Sequence, residues 1–180
     1  MPSAAAIPEN LITIRCLWAS CCCGFGATYL AFNSQWGKVV AIKEYFPNGI
    51  SYRKADGNNV AVISEDKKRV YEQGAERFCR EAHTLSAFND SNIVSIYEFF
   101  MANNTAYYSM EYLDGVDLKN YIKNSGGRLR ESEVVRITKA VCQALMTVHC
   151  SMVLHRDIAP DNIFVCKNGE IKLIDFKKKI

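Results

Sequence analysis

Five residues carry side chains suited to chemistry and stand in an order that lets them act together: Lys43, Glu81, Asp157, Asn162 and Asp175. Lys43 closes the apolar run Val40-Ala41-Ile42. A lysine ammonium held by a carboxylate can grip phosphate oxygens, and Glu81, beside the apolar stripe of the next helix, is the candidate for that carboxylate. Taken singly, Lys43 reads as a solvated strand end and Glu81 as an exposed helix carboxylate. The run His155-Arg156-Asp157-Ile158-Ala159-Pro160-Asp161-Asn162 is more specific. Asp157 can accept a hydroxyl proton, and the Asn162 amide, five residues on, can ligate a metal. Asp175-Phe176 then delivers a second carboxylate from the end of a strand. A chance His-Arg-Asp tripeptide is common; one flanked in order by the other four residues is not.

The elements that must position these groups follow from periodicity. Ile12 and Ile14, Tyr29 to Phe32 and Val39 to Lys43 read as strands, with a turn at residues 33–37. Pro47, Gly49 and Asp56-Gly57-Asn58-Asn59 mark an irregular insertion. Tyr71, Ala75, Phe78, Ala82 and Leu85 recur at spacings of four and three, which predicts a helix over 64–88. Strands are expected at 93–100 and 106–112, joined at Ala102-Asn103-Asn104. A second long helix is expected over 131–149, with Val134, Ile137, Val141, Leu145 and Val148 on its apolar side. A hairpin is expected at the end, Asn162 to Val165 and Glu170 to Leu173 around Lys167-Asn168-Gly169. Strands with one helix, then a mostly helical part, make an α+β layout with a break near Leu113-Asp114-Gly115.

Composition sets bounds. The 180 residues suffice for one domain, and 49% hydrophobic with 23% charged residues is an ordinary globular mix. A net charge of +3 argues for neither nucleic acid nor an acidic membrane surface, and Lys177-Lys178-Lys179 reads as a solvated tail. Eight scattered cysteines without a leader pattern suit a reducing cytoplasm. The run Cys21-Cys22-Cys23 lacks the spacing of a zinc site. Cys16 to Phe32 carries no charge, yet Ser20, Gly24, Gly26 and Thr28 interrupt it, so strands are expected there and not a membrane span.

With these residues in hand, the chain resembles the protein kinase family from about Leu11 to Phe176. Val40-Ala41-Ile42-Lys43, His155-Arg156-Asp157 with Asn162, and Asp175-Phe176 carry the likeness. It implies a bilobal kinase-like α+β fold over 11–180, with a β-rich N-lobe and hinge strand at 11–112 holding one long helix. The start of an incomplete helical C-lobe follows at 113–180. It implies that Lys43 pairs the ATP phosphates, Glu81 holds Lys43, Asp157 orients the substrate hydroxyl, and Asn162 and Asp175 bind Mg²⁺. Met110 falls at the gatekeeper position, and Glu111, Tyr112 and Leu113 look like the hinge that takes adenine. Asp117 matches a ribose contact, Ala41 and Phe164 sandwich the base, and Gly24 and Gly26 belong to the phosphate loop. Leu85, His155 and Phe176 match the packed spine of the family. The stretches Gly24 to Ala31 and Lys43-Glu44-Tyr45-Phe46-Pro47 look like bacterial serine/threonine kinases in particular.

Three departures qualify the resemblance. Cys21 and Cys23 stand where two loop glycines belong. A Cβ there costs on the order of 1–2 kcal/mol where left-handed geometry is needed, which weakens ATP binding without abolishing it; Gly24 compensates in part. Ala159 replaces a lysine usually aimed at the γ-phosphate, and Lys177 follows Asp175-Phe176 in place of glycine. The reading expects a truncated domain without an activation segment, exposing apolar surface and arising from frame shifts or gene decay. Two functions stay open. One is ATP- and Mg²⁺-dependent phosphoryl transfer to a protein serine or threonine hydroxyl. The other is a remnant that serves as a nucleotide-binding or interaction module.

Overall fold

The structure, a computed structural model, describes residues 14–23 by their backbone and residues 26–176 in full. It divides into two units: residues up to His83 with Ile96–Tyr112, and Thr84–Ser95 with the residues from Leu113 onward. Together these elements make the α+β architecture expected from the residue pattern.

In the first unit the chain forms β1 (Ile14–Cys23), β2 (Gly26–Asn33), β3 (Lys38–Tyr45), β4 (Ser51–Arg53), β5 (Val60–Val62), α1 (Glu65–Ser86), β6 (Ile96–Ala102) and β7 (Thr105–Glu111). Helix α1 belongs to this unit as far as His83. Five strands make one antiparallel sheet in the order β1-β2-β3-β7-β6. Of the uncharged stretch 16–32, residues 16–23 and 26–32 run in the antiparallel strand pair β1–β2. Among the described residues no helix is long and apolar enough to cross a membrane.

Alternation along β3 sends Val40 and Ile42 to one face, where they bury against Ala27, Tyr29, Ala31 and Tyr107. Ala41, Lys43 and Tyr45 take the other face, and Tyr45 packs on Tyr71 and Phe78 of α1. Helix α1 forms because its apolar residues recur as expected, and Tyr71, Ala75, Ala82 and Leu85 are all buried. Glu65 and Asp66 in its first turn and His83 in its last complement the helix dipole.

Two expectations are corrected here. Strand β3 runs past Lys43 to Tyr45, so Lys43 is inside the strand. The insertion expected to be irregular holds the antiparallel hairpin β4–β5. Its turn is closed by Asp56 Oδ1, which accepts from Asn58 N and Asn59 N at 2.9 Å each, with Gly57 at φ +75°. Strands of three residues are too short to show alternation.

The second unit holds β8 (Gly115–Asp117), α2 (Leu118–Asn124), α3 (Glu131–Cys150), β9 (Ile163–Cys166) and β10 (Ile171–Leu173), with a single 3₁₀ turn at Pro160–Asn162. Its sheet order is β10-β9-β8, antiparallel throughout. The expected terminal hairpin is present, with Val165 opposite Ile171. Ile93, expected to open β6, instead bridges in parallel to Leu173, and Val94 N donates to the Leu173 carbonyl at 3.1 Å. On α3 the buried residues are Ile137, Ala140, Ala144 and Val148, while Val134 is exposed. The buried face is thus rotated toward two alanines, whose small side chains allow the helix to lie close to β10.

Candidate functional site

The loop from His155 to Asn162 is built on buried polar residues. His155 is buried, and Asp157 N donates to its Nδ1 at 3.3 Å, so the proton sits on Nε2, 3.0 Å from the Ile174 carbonyl that accepts it. Its ring lies 4.2 Å from that of Phe176, which stacks in turn on Phe88 at 6.2 Å. Asn162 is the hub. Its Nδ2 donates to the Asp157 carbonyl at 2.8 Å and to Asp157 Oδ2 at 2.7 Å, while its backbone carbonyl accepts from Ile174 N at 3.0 Å. Both amide hydrogens are thereby spent on Asp157, which leaves Oδ1 as the atom Asn162 can offer a cation. Oxygen donors of this kind, an amide and the Asp175 carboxylate, suit a hard divalent ion such as Mg²⁺.

Two non-glycine residues here are left-handed, Arg156 at φ +62° and Asp175 at φ +54°. Such conformations cost on the order of 1–3 kcal/mol each and gather at functional sites. The bonds from His155 and Asn162 to Ile174 lie beside both and over-determine them.

In the first unit Ala41, Lys43, Tyr108 and Met110 share one sheet face, with Ala41 opposite Met110 and Lys43 opposite Tyr108. Lys43 Nζ lies 6.0 Å from the centroid of the Tyr108 ring. That ring also packs on Phe78 of α1 at 4.9 Å, one turn before the half-buried Glu81. Gly26 has a structural duty: an added Cβ would stand 2.6 Å from the Glu44 carbonyl, so β2 and β3 could not pair as they do. Gly24 lies outside the described residues.

Glu111 ends β7 and is half-buried. In the second unit Leu113 is half-buried, and Phe164 lies opposite Asp117 in the β8–β9 ladder. Asp117 caps α2: Oδ1 accepts from Asn120 N at 2.8 Å and Oδ2 from Asn120 Nδ2 at 2.6 Å.

One polar cluster escaped the sequence reading. Glu44, next to Lys43 but on the opposite face of β3, is buried with Arg53, Tyr29 and Tyr107 around it. A signal was present, since Val40, Ile42 and Glu44 alternate and place a carboxylate on the core face.

Comparison with known proteins gives a consistent result. The family model described as "Protein kinase domain" matches residues 23–177. The serine/threonine-protein kinase PrkC of Bacillus subtilis is 39% identical over 100 residues, covering 56% of this chain and 15% of that protein. The serine/threonine-protein kinase Pkn1 of Myxococcus xanthus is 31% identical over 157 residues, covering 85% of this chain and 20% of its own. The chain thus spans a small part of these curated relatives. Among solved structures, the apo form of PpkA-294 superposes with a TM-score of 0.89 at 28% identity, covering 98% of this chain and 61% of that one.

Proposed function

We propose, from the premise that this chain belongs to the protein kinase family, that it binds Mg²⁺-ATP and transfers the γ-phosphoryl group to a serine or threonine hydroxyl of a protein. The observation that carries the reading is the spending of both Asn162 amide hydrogens on Asp157. On this reading the arrangement holds the Asp157 carboxylate as a proton acceptor and leaves the Asn162 amide oxygen for a cation.

On this reading Lys43 holds phosphate oxygens and Glu81 holds Lys43, while Gly24 and Gly26 belong to the phosphate loop. Ala41 and Phe164 flank the base, Met110, Glu111 and Leu113 line its edge, and Asp117 approaches the ribose. Asn162 and Asp175 would hold Mg²⁺, whose charge offsets that of the phosphates when bound. Asp157 orients the acceptor hydroxyl and takes its proton as the oxygen attacks. The dependence on ATP fits a cytoplasmic setting, and the partner is a protein bearing the hydroxyl.

A second reading, a nucleotide-binding or interaction module without turnover, is favoured by Ala159, which leaves the loop without its lysine. Thermal shift with Mg²⁺-ATP, followed by radiolabel transfer to a generic protein substrate, separates the two. Asp157→Asn is expected to keep the thermal shift and to lower transfer by about 100- to 10,000-fold. Binding with no transfer that depends on Asp157 supports the module; no binding of Mg²⁺-ATP overturns both the transfer reading and the nucleotide-binding form of the second.

A further inference from the structure

Glu44 sits 0% exposed, and its carboxylate takes four hydrogen bonds. Oε1 accepts from Arg53 Nη1 at 2.9 Å and Tyr107 OH at 2.5 Å. Oε2 accepts from Arg53 Nη2 at 2.5 Å and Tyr29 OH at 2.6 Å. Arg53 also donates to the Asn58 carbonyl at 2.8 Å and to Tyr29 OH at 3.1 Å, and its guanidinium lies 5.0 Å from the Phe46 ring centroid. The cluster therefore ties four pieces together: β2 through Tyr29, β3 through Glu44, β4 through Arg53 and β7 through Tyr107.

Burying an ion pair is a poor way to gain stability, because desolvation consumes most of the attraction and an apolar replacement often does as well. What such a pair supplies is a single geometry. Burial and the Glu44 carboxylate both push the Tyr29 and Tyr107 hydroxyls well above their ordinary pKa, so both remain donors. Burial works against the Arg53 charge, but Glu44 outweighs it and raises its pKa. The two hydroxyls and the guanidinium thus keep the protons that the geometry uses.

Lys43 is the preceding residue, and its side chain leaves β3 on the opposite face. Four bonds on the Glu44 carboxylate tether the strand at that point. We infer that Glu44 is a positioning residue for Lys43: the Glu44–Arg53–Tyr29–Tyr107 cluster fixes β3 so that the lysine ammonium is held where it takes the phosphates of a nucleotide. The hairpin β4–β5, through Arg53, becomes part of that support. The inference rests on the nucleotide-binding reading given above.

The test compares two ligands on the full chain by titration calorimetry: Mg²⁺-ATP, which has phosphates for Lys43, and adenosine, which has none. Glu44→Gln is expected to weaken ATP about tenfold or more while leaving adenosine within about twofold. Tyr107→Phe removes one donor, keeps the ring, and is expected to weaken ATP about threefold with adenosine again unchanged. Equal losses for both ligands, or no loss for ATP, overturn the inference, since a merely structural cluster would not distinguish them. Should Glu44→Gln fail to fold, the Tyr107→Phe comparison decides alone. A wild-type chain that does not bind ATP is a different result, seen before any variant is compared, and it removes the nucleotide reading and this inference with it.

Discussion

Asn162 ties the loop together through both its backbone and its side chain. Its backbone N–H donates to the Ala159 carbonyl at 2.9 Å, its carbonyl receives Ile174 N, and its amide holds Asp157. Asn162→Ala leaves the Asp157 carbonyl and carboxylate without that donor, at a cost of about 1–3 kcal/mol. Two measurements follow from this one change. Urea unfolding should show the loss of stability, and the Mg²⁺ concentration needed for an ATP-dependent thermal shift should rise. A variant with lowered stability but an unaltered Mg²⁺ requirement would remove Asn162 from the cation's ligands and leave it a structural hub. His155 plays a supporting part: with both ring nitrogens engaged and the ring against Phe176, it carries no free proton for chemistry.

Among the elements, the three-residue strand β8 is held against backbone at close tolerance. An added Cβ at Gly115 would meet the Val165 carbonyl oxygen at 2.1 Å and Cys166 Cα at 2.7 Å, both backbone atoms of β9 that cannot swing aside. Gly115→Ala must therefore separate β8 from β9 and displace Asp117, the cap of α2. The expected cost is about 3 kcal/mol, at the upper end of overpacking penalties. Gly126, at φ +79° with open space around it, is the control. Alanine there should cost only about 1–2 kcal/mol of left-handed strain. Denaturant midpoints for the two variants measure the contrast, and equal shifts would mean that β8 is loosely held. The same tightness operates at Gly26, where the facing atom is the Glu44 carbonyl. That position reads as a phosphate-loop glycine from the sequence, but strand pairing already demands it.

For the molecule as a whole, the tyrosines set an alkaline limit. Burial pushes Tyr45 up to about 12 from its ordinary 10.0, and it raises Tyr29, Tyr71 and Tyr107 as well. The folded state favours the neutral phenol, whereas the unfolded chain releases these protons near 10.0. Stability from Tyr45 is therefore complete below pH 10.0 and is lost as pH rises toward about 12, and that from the others is likewise lost only above the ordinary phenol range. Tyrosinate absorbance followed together with circular dichroism should show these four ionising only as the chain unfolds. Ionisation of all nine tyrosines in a folded chain would contradict the burial. Family membership belongs to this scale too. It rests on a match over residues 23–177, while the activity and partners of the much longer relatives are not carried with it.

The local chemistry of the chain was legible in its residues. Helix α1 and the terminal hairpin follow from side-chain periodicity and turn residues, which act over a few positions and need no distant partner. The kinase motifs were legible for the same reason, since Lys43, Asp157, Asn162 and Asp175 stand in short runs whose order carries the meaning. What the residues could not convey were pairings across long separations. Glu44 meets Tyr107 across 63 positions and Ile171 meets Asn92 across 79. Ile93 leaves its expected strand because Leu173 offers it a backbone partner. Val134 lies outside the buried face of α3 because the helix presents Ala140 and Ala144 inward instead. Backbone partners and burial depend on which segments meet, and that is a property of the folded chain rather than of any local run. So the candidate residues of the site were proposed from runs along the chain, whereas the cluster behind Lys43 emerged only when four separate strands came together.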